Sequence, residues 1–295
     1  MSATVHLVDA SPYLFRAYFA VPHSIRDPQG RPINAVHGFA GFLVRLLNEE
    51  QPTHLALAFD ESLTTSFRNE FFPGYKASRA LPPPELDAQL GWCRELGDAI
   101  GAATFSHDRY EADDILATLC GRVVAHGDGA VIVTNDKDLS QLVSDTVTWF
   151  DFAKGKRYGP AEVEEKLGVP PHQVIDLQGL CGDSVDDIPG VKGVGPKSAA
   201  ALLAAFGSLE AIYEHLDEVE ALPVRGAKSL RKKLAAGRDD AFLSKRLAHA
   251  VSDVPITGET DDLEYHGADR VRLQELCDRL GFGGLPGRVP KFRDA

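Results

Sequence analysis

Three short apolar runs in the first half of the chain stop at acidic residues: Val5 to Asp9, His54 to Asp60, and Ala130 to Asn135 with Asp136 following. Runs this short and this rich in aliphatic residues suit strands of a parallel sheet buried on both faces. Between and around them, Ala35 to Glu49, Glu85 to Ile100 and Ala112 to His126 carry helical periodicity, and Ser11-Pro12 reads as an N-cap and first helical residue after strand one. The alternation predicts an α/β fold with a parallel sheet core. Ligands of such sheets gather at the carboxyl ends of the strands, so Asp9, Asp60 and Asp136 are expected to meet in one crevice.

Six further carboxylates accompany them in short clusters: Glu111, Asp113 and Asp114, then Asp138, then Asp183 and Asp186. Carboxylates brought together repel one another and raise each other's pKa values, so a fold that gathers nine needs bound cations; Mg²⁺ or Mn²⁺ is the natural choice. Any one cluster has a plainer explanation. Acids are favoured in the first turn of a helix, which would account for the EADD motif, and Asn135-Asp136-Lys137-Asp138 has the composition of a turn. Glu111 and Asp114, three apart, nevertheless share a helix face with Asp113 beside them.

Gly182 to Lys197 reads GDSVDDIPGVKGVGPK. Its glycines predict a tight hairpin ahead of a helix over Ser198 to Phe206, with exposed N–H groups, Lys192 and Lys197 forming a phosphate site. The GxxxxGK[ST] spacing of a P-loop is absent. From Gly159 to about Ala250 strand signals fade and a helical subdomain is expected. Asp261 to Phe282 holds one more helix, Arg270 to Leu280, packing back on the core, and the Gly/Pro-rich end from Gly283 should be loose. The expected units are thus residues 1–158, 159–260 and 261–295. Glu61 to Pro84 stands apart as a basic, aromatic connection long enough to be functional or mobile.

A net charge of -12 argues against nucleic acid as a partner, but the charge is uneven. Residues 225, 228, 231, 232, 233, 238, 245 and 246 are Lys or Arg, against two acids, Asp239 and Asp240, in the same stretch. The stripe is either a solvated helix face or a DNA contact. The four cysteines show no metal-ligand spacing, and no apolar run approaches the roughly 18 residues of a membrane span. A cytoplasmic, monomeric protein with reduced thiols is expected.

These blocks together resemble the 5′-nuclease family, which comprises the N-terminal nuclease domain of bacterial DNA polymerase I and stand-alone flap endonucleases. VDASPYLFRAY resembles its opening strand and helix, FRNEFFPGYKASR its FR-x-E-x-YP-x-YKA-x-R block, and EADD, TNDKDLSQLV and GDSVDDIPGVKGVGPKSA its later blocks. The resemblance implies a Rossmann-like (PIN-like) core, a helical arch over 61–84, and a helix-hairpin-helix module that holds duplex DNA. It assigns Asp9, Asp60, Glu111, Asp113, Asp114, Asp136, Asp138, Asp183 and Asp186 to metal binding. Lys76 and Arg79 would act on the scissile phosphate. Arg16 and Arg68 would contact further phosphates, Tyr75 would stack on an unpaired base, and Gly190, Lys192, Gly193, Gly195 and Lys197 would form the hairpin's DNA contact, with a K⁺ ion on its backbone carbonyls. Ala10, Val185 and Asp187 depart from the family's usual Gly, Ser and Asn.

The activity implied is metal-dependent flap endonuclease and 5′-3′ exonuclease action on branched or 5′-ended DNA, with RNA-primed DNA as a further substrate, in a free-standing enzyme or a separated domain. A non-catalytic binder of branched DNA is the alternative from another class, and another metal-dependent phosphoesterase is a third.

Overall fold

The computed structural model describes residues 2–61, 66–80, 82–224 and 226–293. In chain order the elements are β1 (Thr4–Asp9), α1 (Ala10–Ala20), α2 (Asn34–Glu50), β2 (His54–Asp60), α3 (Arg68–Phe71), α4 (Pro84–Ile100), β3 (Ala103–His107), α5 (Ala112–His126), β4 (Gly129–Val133), β5 (Val147–Asp151) and β6 (Lys156–Tyr158). There follow α6 (Pro160–Leu167), α7 (Val174–Cys181), α8 (Pro196–Phe206), α9 (Leu209–Glu214), α10 (Ala227–Ala236), α11 (Arg238–Ala248) and α12 (Arg270–Leu280).

The six strands form one sheet in the order β3-β2-β1-β4-β5-β6, parallel except for β6. Strand periodicity sorts its side chains between two cores. Val8, Leu55, Leu57, Phe59, Val131 and Val133 face the layer of α1, α2, α4 and α12, whereas Val5, Leu7, Ala56, Ala58, Ala130 and Ile132 face α5. Both faces being covered explains why the strands read as continuous apolar runs. Gly97 lets α4 approach closely, since a Cβ there would lie 2.8 Å from both Leu57 Cδ1 and Thr104 Cγ2. The chain runs outward from β1 through β2 to β3, then returns to β4 on the other side of β1. The topological switch point therefore lies between β1 and β4, where a crevice opens at their carboxyl ends.

A second core joins the sheet's far edge to the helical part. Trp149 of β5 stacks on Tyr158 of β6 at 4.2 Å between centroids, and both pack with Val163, Leu177, Leu180, Leu202, Leu203, Ile212, Leu230 and Leu234.

Three expectations are corrected. Helix α1 begins one residue earlier than Ser11, with Asp9 at its N-cap and no side-chain capping bond; the Ser11 hydroxyl donates to Asp60 Oδ2 instead (2.6 Å). Strand β4 ends at Val133, because Thr134 turns its carbonyl to the Trp149 indole N–H (2.9 Å). The stretch from Gly283 to Arg293 is not loose. Leu285 and Val289 are buried in the main core, and residues 268 and 291–293 exchange backbone hydrogen bonds (Ala268 N–H to Lys291 O, 2.9 Å; Arg293 N–H to Ala268 O, 3.0 Å). Apolar side chains at 285 and 289 outweigh the glycines around them. Among the described residues no helix is long and apolar enough to cross a membrane.

Candidate active site

Asp9 and Asp60 end β1 and β2, Asp136 lies three residues beyond β4, and Asp113 sits in the first turn of α5. The fold thus carries four distant acids to one end of the sheet. Short bonds hold them: Thr134 Oγ1 donates to Asp9 Oδ2 (2.8 Å), the Ala112 N–H to Asp60 Oδ1 (2.8 Å), and the Asp138 N–H to Asp136 Oδ1 (2.9 Å). Burial, then the charges of Asp60 and Asp136, push the Asp9 carboxyl well above the usual range. Burial, then Asp9 and Asp136, do the same to Asp113. Among the described residues no Lys or Arg stands within ion-pair distance of any of the four carboxylates.

The remaining acids carry protein cations. Glu111 accepts from Arg68 (2.8 Å), the Tyr75 hydroxyl (3.0 Å) and Lys76; Asp186 pairs with Arg79 and lies 3.7 Å from the Lys76 ammonium. Burial opposes ionisation of Glu111, but Lys76 and Arg68 prevail and hold it below its usual range. Lys137 Nζ donates to Asp183 Oδ2 (2.7 Å) and lies 3.2 Å from Asp138 Oδ1. Asp183 is thereby kept below the usual range despite burial, while burial and Asp136 raise Asp138 to about 6. A cavity of about 360 Å³ opens beside these groups, lined by Asp136, Asp138, Asp183, Asp186, Lys137 and Arg79 among others.

Among the described residues no three His, Cys, Asp or Glu side chains already close into a cation cage. The donor set still fits a hard divalent ion. It is oxygen only, four members have no ion-pair partner among the described residues, and Mg²⁺ characteristically keeps several waters while touching one or two carboxylates.

The strap over residues 66–80 differs from an open arch. Phe71, Phe72 and Tyr75 pack on Ile188 and Leu247, and the strap is tied to the loop at 183–187 by hydrogen bonds from the Lys76 N–H to Asp186 O (3.0 Å) and the Ser78 N–H to Asp187 Oδ2 (2.8 Å). Lys76 and Asp187 both adopt left-handed backbone, φ 54° and 56°. Asp187, by accepting the Ser78 N–H, latches the strap. Residues 62–65 and Leu81 of the expected arch lie outside the described residues.

Several expected contacts are corrected by burial. Arg68 is 3% exposed and donates to Asp114, Glu111 and the carbonyls of Leu247 and His249, so it faces no phosphate. Asp114 is fully buried, its oxygens taken by Arg68 and the N–H groups of Glu111 and Val251, leaving nothing for a metal. Tyr75, 4% exposed, has no free face for a base. Gly190 is buried with its N–H on Ser244 Oγ (2.8 Å); at φ 59° a Cβ would meet Gly182 N at 2.2 Å, so it is a packing device.

Lys192, Gly193, Gly195 and Lys197 are exposed, as is Arg16 on α1. The N–H groups of Lys192, Gly193 and Gly195 donate to no described acceptor, which leaves a row of donors ahead of α8. The basic stripe is broken up. Arg231 pairs with Asp217, Lys245 with Asp176 and Glu210, Lys233 binds Gly193 O (2.9 Å), and Arg238 and Arg246 lie over aromatic rings. Lys228 and Lys232 remain exposed, and Arg225 lies outside the described residues.

Sequence reasoning passed over Thr134, which braces Asp9. It also passed over Lys137, although that lysine's place between two acids was a visible signal.

Residues 4–168 match the family model of the 5′-3′ exonuclease N-terminal resolvase-like domain, and residues 169–271 that of the 5′-3′ exonuclease C-terminal SAM fold. The chain is 42% identical over 287 residues to DNA polymerase I of Bacillus subtilis (strain 168), covering 96% of this chain and 32% of that one. It is 39% identical over 295 residues to DNA polymerase I of Rhizobium leguminosarum, covering 98% and 28%. The chain thus spans about a third of the length of these curated relatives. Similar solved folds include T5 5′-exonuclease with divalent zinc ions (TM-score 0.67, 24% identity, 83% of this chain and 89% of that one). Another is the catalytic core of Rad2 in complex with DNA substrate (TM-score 0.64, 20% identity, 98% and 91%). The fold is therefore that of the PIN-like 5′ nucleases with a SAM-like second part, and the chain belongs to the 5′-3′ exonuclease family.

Proposed function

We propose that the chain is a structure-specific, divalent-metal-dependent 5′ nuclease that cuts 5′ flaps and digests DNA from 5′ ends during primer removal and repair. The observation that carries this reading is the set of four carboxylates, Asp9, Asp60, Asp113 and Asp136, gathered at the switch point with no described protein cation to neutralise them. They would hold Mg²⁺ or Mn²⁺, with Asp138, Asp183 and Asp186 as a second donor group. Bound metal would supply a water of lowered pKa and charge stabilisation on the phosphoryl oxygens.

The chain's own residues bind and orient. Lys76 and Arg79, now on Glu111 and Asp186, stand where an incoming phosphodiester can take over their charge, as electrostatic stabilisation requires. The free N–H groups at 192, 193 and 195 suit a duplex phosphate, with Lys192 and Lys197 beside them and Arg16 as a further contact. A K⁺ ion at this hairpin would compete with the Lys233 ammonium for Gly193 O. RNA-primed DNA and a monomeric state belong to the same reading.

The test is a 3′-labelled 5′-flap DNA incubated with Mg²⁺, with Mn²⁺, and with chelator, products being sized to the nucleotide. Wild type should give a metal-dependent cut near the junction together with a ladder from the 5′ end, and Asp113→Asn should abolish both while keeping its fold. Tight binding with no product in either metal would instead favour the non-catalytic binder, and hydrolysis of small phosphoesters without DNA cleavage the general phosphoesterase.

A further inference from the structure

The carboxylates of the site differ in what already neutralises them. Asp9, Asp60, Asp113 and Asp136 form an inner group with no described cation partner. Asp138, Asp183 and Asp186 form an outer group that is partly compensated from within the protein. Lys76 and Arg79 reach this region from the strap, but Lys137 belongs to the site's own framework, being flanked in the chain by Asp136 and Asp138. Its ammonium joins the loop after β4 to the loop after α7, donating a hydrogen bond to Asp183 (2.7 Å) while lying 3.2 Å from Asp138 without one.

Two features make this lysine more than a surface ion pair. Its acids are largely buried, Asp138 at 17% and Asp183 at 12% side-chain exposure, so an uncompensated pair would be costly. The lysine itself is half exposed (50%), so its flexible stem can swing the ammonium into water without opening the fold. A cation that is needed when the acids stand alone and is free to leave behaves as a removable counter-ion.

We infer that Lys137 is the resident counter-ion of the outer carboxylates: it positions Asp138 and Asp183 while no second divalent ion is present, and must give way before one binds between them. The inference rests on the metal-dependent reading above. Divalent ions should therefore bind in two classes. The inner group, with nothing to displace, takes the tighter one, and the outer group the weaker.

The experiment is calorimetric titration of Mn²⁺ into the metal-free full chain, without DNA, for wild type, Lys137→Met, Lys137→Gln and Lys137→Arg. Loss of one like charge a few ångströms from the ion should strengthen the weaker class roughly tenfold or more in the Met and Gln variants. The tighter class should not change, and the Arg variant should resemble wild type. Melting supplies a second readout: without metal the Met and Gln variants should melt lower than wild type, and Mn²⁺ should raise their Tm by more. Wild-type Mn²⁺ isotherms in both the Met and Gln variants would overturn the role of Lys137 and leave the nuclease reading standing. Absence of any Mn²⁺ binding by wild type would overturn the metal-dependent reading itself.

Discussion

Arg68 offers a direct test of whether burial or motif resemblance decides a residue's role. Its guanidinium makes five hydrogen bonds: to Leu247 O, Glu111 Oε2, both oxygens of Asp114, and His249 O, all between 2.7 and 2.8 Å. Arg68 is 3% exposed and Asp114 0%, so solvent screens the pair little. Arg68→Met would strand the Asp114 charge inside the protein, and removing one partner of such a buried pair costs about 3–5 kcal/mol. That is a large part of the roughly 5–15 kcal/mol that holds a typical domain folded. Arg68→Lys keeps the charge but cannot present a planar fork to five acceptors, so an intermediate loss is expected. Replacing Asp114 by Leu in the Met background should recover part of the loss, giving a favourable coupling in the double-mutant cycle.

Urea unfolding followed by circular dichroism reads these losses as shifts of midpoint at constant slope. The salt dependence of DNA binding, measured in chelator on the Arg68→Met, Asp114→Leu double variant, which lacks the charge at position 68, supplies the opposing reading. A residue on a phosphate contributes about 0.9 to the slope of log K against log salt, whereas a buried strut contributes nothing. A Met variant with the wild-type midpoint, or any Arg68 variant with unchanged stability and a slope reduced by about one, would refute the assignment.

Two further outcomes test the framework around the site. Gly190→Ala combines left-handed backbone, worth about 1–2 kcal/mol, with a Cβ 2.2 Å from Gly182 N, and overpacking adds about 1–3 kcal/mol, so its Tm should fall by several degrees while Gly195→Ala, where a Cβ meets nothing within 4 Å, stays near wild type. His6 lies buried in β1 against Glu50, and burial lowers its pKa below the ordinary 6.5 although Glu50 opposes the change. The unfolded chain therefore binds this proton first, so stability should be full above about pH 6.5 and decline as pH falls towards the lower folded-state value. His6→Gln should flatten that part of the stability curve in urea titrations at stepped pH, and an unchanged curve would remove His6 from the account.

Local patterns sufficed for much of this protein. Apolar runs and 3.6-residue periodicity place β1, β2, α2, α4, α5 and α12 within about a residue of their observed ends, because these elements bury continuous stripes whose spacing is written in the chain. Acids straight after strands foretold a crevice, since strand ends in a parallel sheet share one side. The strands β3, β5 and β6 were invisible. ATFSH and KRY are short and mixed in polarity, and they become strands only because β2 and β5 offer them an edge to pair with.

Tertiary structure alone decided which members of each motif face the crevice. Asp113 and Asp114 are adjacent acids of one type, yet one joins the inner carboxylates and the other is sealed beneath Arg68. Arg68 and Tyr75 lie in the same segment as Lys76 and Arg79, but the first two are sealed in the interior, whereas the last two reach Asp186 at the crevice. Residue type and spacing record what a side chain can do. Burial and the identity of its neighbours, which depend on segments more than a hundred residues apart, decide what it does.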